Sequence, residues 1–119
     1  MTTARDPASR PRVLVVDDDP RVERLVRLTL EMEGVDVVAA ETIESARPLL
    51  DPGLRAVALD RRLPDGDGLE LLPELEARCP TVPVVVFSAF EPDDSEPPHV
   101  RRVAKSDVGA LFEALGLDA

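Results

Sequence analysis

Six residues with chemically capable side chains stand at or just beyond the ends of apolar runs. Asp17, Asp18 and Asp19 follow Val13-Leu14-Val15-Val16, and Asp60 follows Ala56-Val57-Ala58-Leu59. Ser88 follows the run Val82 to Phe87, and Lys105 follows Val100 to Ala104. Lys105 is the only lysine among fourteen basic residues; the rest are arginine. An ammonium is a compact, mobile point charge, whereas a guanidinium is a rigid planar fork, so a lone lysine marks a place that needs the point charge. Carboxylates that converge in a partly dry cleft repel one another and call for a cation. Hard oxygen ligands of this kind suit Mg2+, which takes one or two carboxylates together with phosphate oxygens. A carboxylate beside that ion can act as a nucleophile toward phosphorus, with an ammonium and a hydroxyl to stabilise the phosphoryl oxygens. The bland alternative, aspartates as turn formers and caps, accounts for Asp19 before Pro20. It accounts poorly for Asp60 and Lys105.

These groups meet only if the elements place them on one rim. The apolar runs are short and rich in β-branched residues, as in buried parallel strands. Between them lie segments of helical spacing. Val22, Leu25, Val26, Thr29 and Leu30 form the first, stopped by Gly34. Val35 to Ala39 reads as the second strand. Thr42 caps a helix with Ile43, Ala46, Leu49 and Leu50, and Asp67 caps one with Leu69, Leu72 and Leu75. Pro48 and Pro73 fall inside these two and predict a bend or a late start. Val108, Leu111, Phe112 and Leu115 make the last helix. The alternation predicts an α/β fold, a doubly wound five-stranded parallel sheet in the order 2-1-3-4-5. In such a sheet ligands bind at the carboxyl ends of the strands.

The chain has 119 residues, enough for one domain with a sizeable core. Residues 1–11 read as a disordered leader and 12–117 as the domain. The formal charge of −10 argues against direct nucleic-acid binding, which needs basic surface. No apolar stretch approaches membrane-spanning length and no signal peptide is evident, so a cytoplasmic location is expected. Cys79, the single cysteine, excludes a disulfide within the chain and sits at an expected helix end.

The motifs Val-Leu-Val-Val-Asp17-Asp18-Asp19-Pro20, Ala-Leu-Asp60-Arg-Arg-Leu-Pro64-Asp-Gly66-Asp-Gly68-Leu, Val-Val-Phe-Ser88-Ala89 and Val-Ala-Lys105-Ser106 occur in order after the expected strands. Together they resemble the receiver domain of two-component response regulators, over about Arg12 to Leu117. The resemblance implies a CheY-like fold and Asp60 as phosphoacceptor. It implies Mg2+ held by Asp17, Asp18, Asp60 and the backbone carbonyl of Arg62. It makes Ser88 and Lys105 the phosphoryl-binding and switch residues. The donor it implies is a sensor histidine kinase or phosphotransfer protein, with an unknown downstream protein and no enzymatic turnover beyond the domain's own phosphorylation and dephosphorylation.

The chain departs from this pattern in three places. Only residues 89–99 connect the fourth and fifth strands, and Pro92, Pro97, Pro98 and four acids crowd them, so the family's fourth helix is expected to be absent or a single turn. Arg102 occupies the altered switch position, where the family has an aromatic; a solvated edge strand is the expectation for it. Ser106 stands where many members have proline. Non-standard output switching, in a receiver standing alone or relaying phosphate, follows as an expectation. Two other readings stay open. One is a receiver-like interaction module that is never phosphorylated. The other is a small haloacid dehalogenase-like phosphatase using Asp17-Asp18-Asp19, which leaves Asp60 without a role.

Overall fold

A computed structural model describes residues 10–117. The leader expected over residues 1–11 lies outside these up to residue 9. Five parallel strands form the central sheet: β1 (Arg12–Val16), β2 (Asp36–Ala40), β3 (Ala56–Leu59), β6 (Val84–Ser88) and β7 (Arg101–Ala104). Their order is β2-β1-β3-β6-β7, which is 2-1-3-4-5 when these five are counted among themselves. Two short strands, β4 (Arg62–Leu63) and β5 (Gly66–Asp67), pair antiparallel in a ladder of their own just after Asp60.

The strands alternate their side chains between two apolar layers. Leu14, Val16, Val57 and Leu59 face one layer, with α2 (Ile43–Ala46) and α3 (Leu72–Arg78). Val13, Val15, Ala58, Val85 and Phe87 face the other, with α1 (Pro20–Glu31) and α4 (Val108–Ala114). The central strands β1 and β3 therefore have apolar residues on both faces, which is why each reads as a continuous apolar run.

Asp19 caps α1 by accepting from Arg21 N at 2.9 Å, with Pro20 in the first turn. Thr42 caps α2 through a reciprocal pair of hydrogen bonds with Ser45. The prolines act as expected. Pro48 falls in a 3-10 turn, Arg47–Leu49, because α2 ends at Ala46. Asp67 caps a second 3-10 turn, Gly68–Leu71, and the α-helix proper starts late, with Pro73 at its second position. A proline has no N–H to give and fits only where none is required. Cys79 caps the end of α3 and is buried.

Strand boundaries shift by a residue or two. The fourth long strand begins at Val84 instead of Val82, so Ser88 closes the strand rather than following it. The second strand is displaced by one residue, to Asp36–Ala40. The segment from Ala89 to Val100 contains no helix. No helix among the described residues is long and apolar enough to cross a membrane.

Candidate phosphoacceptor site

The register of the sheet brings the site together. Val16 pairs with Leu59, Leu59 with Val86, and Ser88 with Ala104, so the carboxyl ends of β1, β3, β6 and β7 finish side by side. Asp17 and Asp60 are the next residues after β1 and β3, and both are buried. Lys105 is the next residue after β7, and its backbone N donates to Ser88 O at 3.2 Å.

Lys105 Nζ bridges the two buried acids. It donates to Asp60 Oδ2 at 2.9 Å and lies 2.8 Å from Asp17 Oδ2. Apart from this ion pair, Asp17 Oδ2 has no polar partner among the described residues. Asp17 Oδ1 accepts from Asp19 N at 2.9 Å. Burial pushes the Asp17 carboxyl above its ordinary range, against the contact with Lys105 and the amide of Asp19. For Lys105 burial works against the ammonium, but the two carboxylates more than offset it and its pKa stands above the usual value.

Asp18 is exposed at the mouth of the cleft. One oxygen from each of Asp17, Asp18 and Asp60 lies within 4.8 Å of the others. Three carboxylates, two of them buried, fit a small hard divalent cation, which accepts oxygen ligands and cancels the repulsion between them. Ser88 is buried at the same rim, and its Oγ accepts from Phe90 N at 3.2 Å.

The loop after Asp60 is fixed by close packing. A Cβ on Gly68 would lie 2.0 Å from the Asp60 carbonyl oxygen, so only glycine lets the chain return past the acid. Gly68 N donates to Arg61 O at 2.8 Å. Asp65, at the turn of the β4-β5 ladder, accepts from Ile43 N at 2.9 Å and Glu44 N at 3.0 Å. It thereby ties this loop to the start of α2, where unpaired amides favour a carboxylate. Arg62, expected to contribute a carbonyl, lies beside Asp60 at the start of β4, and its guanidinium stacks 4.0 Å from the centre of the Phe90 ring.

The expectation of a solvated Arg102 is overturned. Its Nε donates to Glu96 Oε1 at 2.8 Å, its Nη2 pairs with Glu96 Oε2, and its Nη1 donates to Phe90 O at 2.6 Å. Arg61 reaches the same carboxylate, with Nη1 2.9 Å from Glu96 Oε2. Arg61 also grips Asp67 with two hydrogen bonds, at 2.7 and 2.9 Å, and Asp93 at 3.2 Å. Sequence reasoning passed over Arg61, Glu96 and Asp65. The one available signal was an acidic, proline-rich connection whose only large apolar side chain is Phe90, so that its carboxylates need cations as partners.

Residues 13–106 match the response regulator receiver domain family over most of the chain. The chain belongs to that family. KdpE, the KDP operon transcriptional regulatory protein of Escherichia coli, is 38% identical over 101 residues, covering 82% of this chain and 41% of KdpE. PilR of Pseudomonas aeruginosa is 37% identical over 83 residues, covering 69% of this chain but only 19% of PilR. The chain thus spans less than half the length of these curated relatives. The response regulator TrrA of Thermotoga maritima, solved in complex with Mg2+ and BeF, superposes with a TM-score of 0.76 at 25% identity, covering 88% of this chain and 98% of TrrA. TrrA has also been solved in complex with the histidine kinase ThkA, and that structure matches with a TM-score of 0.72 at 26% identity, over 88% of this chain and 97% of the matched one. The fold is that of a receiver domain.

Proposed function

We propose that this receiver domain accepts a phosphoryl group on Asp60, with Mg2+, from a phosphohistidine on a sensor histidine kinase or phosphotransfer protein. The observation that carries the reading is the Lys105 ammonium bridging buried Asp60 and Asp17 beside the exposed carboxylate of Asp18. A purely structural ion pair has no use for a third carboxylate.

In the reaction the Asp60 carboxylate attacks phosphorus. The P–N bond to the donor imidazole breaks as the O–P bond forms, and the imidazole leaves with the electron pair. Asp17 and Asp18, with Asp60 and the Arg62 carbonyl, would hold the cation. When bound, Mg2+ neutralises the phosphoryl oxygens and lets two anionic groups approach. Lys105 transfers its hydrogen bond from Asp60 Oδ2 to a phosphoryl oxygen, and Ser88 Oγ donates to another after releasing Phe90 N. The domain processes its own acyl phosphate and turns over no other substrate.

Output is non-standard in this reading. The switch position carries Arg102, whose guanidinium is committed to Glu96 and Phe90 O. TrrA, solved both with Mg2+ and BeF and with its kinase, lends support by likeness. The phosphatase alternative is disfavoured by the Lys105 contact with Asp60, an acid to which it gives no role.

The test is incubation with acetyl phosphate or a phosphorylated histidine donor, followed by separation of the acyl-phosphorylated form. Wild type labels only with Mg2+ and loses the label in mild base, and Asp60→Asn stays blank. A wild type that never labels returns the reading to a phosphorylation-independent interaction module.

A further inference from the structure

The backbone of Phe90 makes two hydrogen bonds, both to side chains. Phe90 N donates to Ser88 Oγ at 3.2 Å, and Phe90 O accepts from Arg102 Nη1 at 2.6 Å. Neither group has a backbone partner among the described residues. The two side chains are the buried hydroxyl of the site and the arginine at the switch position. They stand on one face of the sheet, because Ser88 pairs with Ala104 and Val86 with Arg102, and residues two apart on a strand point the same way. Arg102 makes no hydrogen bond to Ser88, and its other nitrogens go to Glu96. Any hold of Arg102 on the hydroxyl therefore passes through Phe90.

The two bonds are unequal. A guanidinium donating to a carbonyl is charge-assisted and stronger than an amide donating to a hydroxyl. Glu96 fixes Arg102 from its other side, and the Arg62 guanidinium lies 4.0 Å from the centre of the Phe90 ring. Phe90 belongs to a connection without a helix, so these contacts decide where its amide points. That amide occupies a lone pair of Ser88 and keeps the hydroxyl turned toward the loop. For Ser88 to reach a phosphoryl oxygen it must leave the Phe90 amide, or the amide must follow it. Arg102 prevents the second, so the move strips an N–H of its partner, at a cost.

We propose that Arg102 is a positioning residue for phosphoryl transfer: by gripping Phe90 O it fixes the Phe90 amide, and the amide holds Ser88 Oγ in its resting direction. On the reading that Asp60 accepts the phosphoryl group, Arg102 opposes the phosphorylated state. Phosphorylation in turn loosens Arg102 from Phe90, because coupling between two sites is reciprocal.

The experiment follows the Phe90 amide proton by NMR and titrates the full chain with beryllofluoride, a phosphoryl mimic, in Mg2+. Thermal melts control for folding. In the metal-free protein Arg102→Ala moves the Phe90 amide proton upfield, as Ser88→Ala does, because both lose the bond to the hydroxyl. In Mg2+, Arg102→Ala binds beryllofluoride at least about three-fold tighter than wild type. In the Ser88→Ala background the same substitution changes affinity little, since the amide no longer holds a hydroxyl. A merely structural Arg102 would shift affinity equally in both backgrounds, and that result overturns the proposal. So does unchanged or weaker binding by Arg102→Ala. A Phe90 amide indifferent to Arg102 overturns it whatever the protein binds. A wild type that ignores beryllofluoride while its Phe90 amide still tracks Arg102 overturns the acceptor role of Asp60 and upholds the hold of Arg102 on Ser88.

Discussion

Arg102 Nε donates to Glu96 Oε1 at 2.8 Å, and Arg61 Nη1 approaches the other oxygen of the same carboxylate at 2.9 Å. One arginine belongs to β7 and the other follows Asp60, so Glu96 joins two parts of the site rim that share no strand pairing. All three side chains are largely enclosed, at 19% exposure for Arg102, 12% for Arg61 and 8% for Glu96. Where a crossover between parallel strands usually packs an apolar helix, this chain folds its connection around a shared charge.

Removing Glu96 leaves two guanidiniums adjacent and without their common counter-charge. Glu96→Ala is expected to destabilise the fold by about 2–3 kcal/mol, somewhat under the cost of breaking a fully buried pair because water reaches part of the cluster. Urea denaturation of wild type and variant measures it. Arg102→Ala leaves Arg61 on Glu96 and costs less, about 1 kcal/mol.

The same cluster sets an acid limit on stability. The hydrogen bonds from Arg102, then Arg61, hold Glu96 below its ordinary value of 4.5 despite its burial. Arg61 likewise holds Asp67 below 3.8. Ser95, then Arg61, hold Asp93 at about 2. Depressed carboxyl pKa values contribute stability that is present above the unfolded values and lost as pH falls through the folded ones. Melting temperature should therefore drop as pH falls below about 4.5, and Glu96→Gln should flatten the upper part of that limb. An unchanged acid limb in Glu96→Gln would remove the cluster from the explanation.

At Asp17 the sign reverses. Its carboxyl is pushed up by burial, so the ionised form is the one the metal-free fold tolerates less well. Asp17→Asn should stabilise the metal-free protein, by about 1 kcal/mol, while weakening Mg2+ binding. Thermal melts in EDTA and in Mg2+ test both halves: wild type gains melting temperature with Mg2+ and Asp17→Asn gains little.

Lys105 can be probed by shape as well as charge. A planar guanidinium cannot follow the path of the ammonium from Asp60 to a phosphoryl oxygen. Lys105→Arg should fold but label at Asp60 at least ten-fold more slowly or switch partners poorly. Full competence would show that charge alone suffices. Lys105→Gln leaves Asp17 and Asp60 unneutralised and should lower metal-free stability by about 2–4 kcal/mol, a loss that Mg2+ partly restores.

Two glycines should respond to alanine for different reasons. Gly68→Ala places a methyl 2.0 Å from the Asp60 carbonyl and must displace the backbone beside the acceptor, costing about 2–3 kcal/mol along with phosphorylation. Gly34 has φ +81° and open space around it, so Gly34→Ala should cost only about 1 kcal/mol and leave labelling intact. Paired melts and labelling assays separate the two.

The sequence by itself determined the sheet and most of the site. Runs such as Val13 to Val16 and Ala56 to Leu59 are apolar on both faces, and only a strand covered on both sides accommodates that pattern. Once those runs are parallel neighbours, Asp17, Asp60, Ser88 and Lys105 must meet, since each stands at the carboxyl end of its strand. The lone Lys105 was legible for the same reason: composition had left one point charge, and topology gave it one place to go. Only the tertiary structure decided the partners of Arg61, Arg102, Asp65 and Glu96. Their contacts, six residues apart for Arg102 and Glu96 and 35 for Arg61 and Glu96, are made across loops by long side chains whose reach and direction no local periodicity records. Arg102 reads as an exposed arginine on an edge strand until the loop from Ala89 to Val100 folds back and brings Glu96 to it.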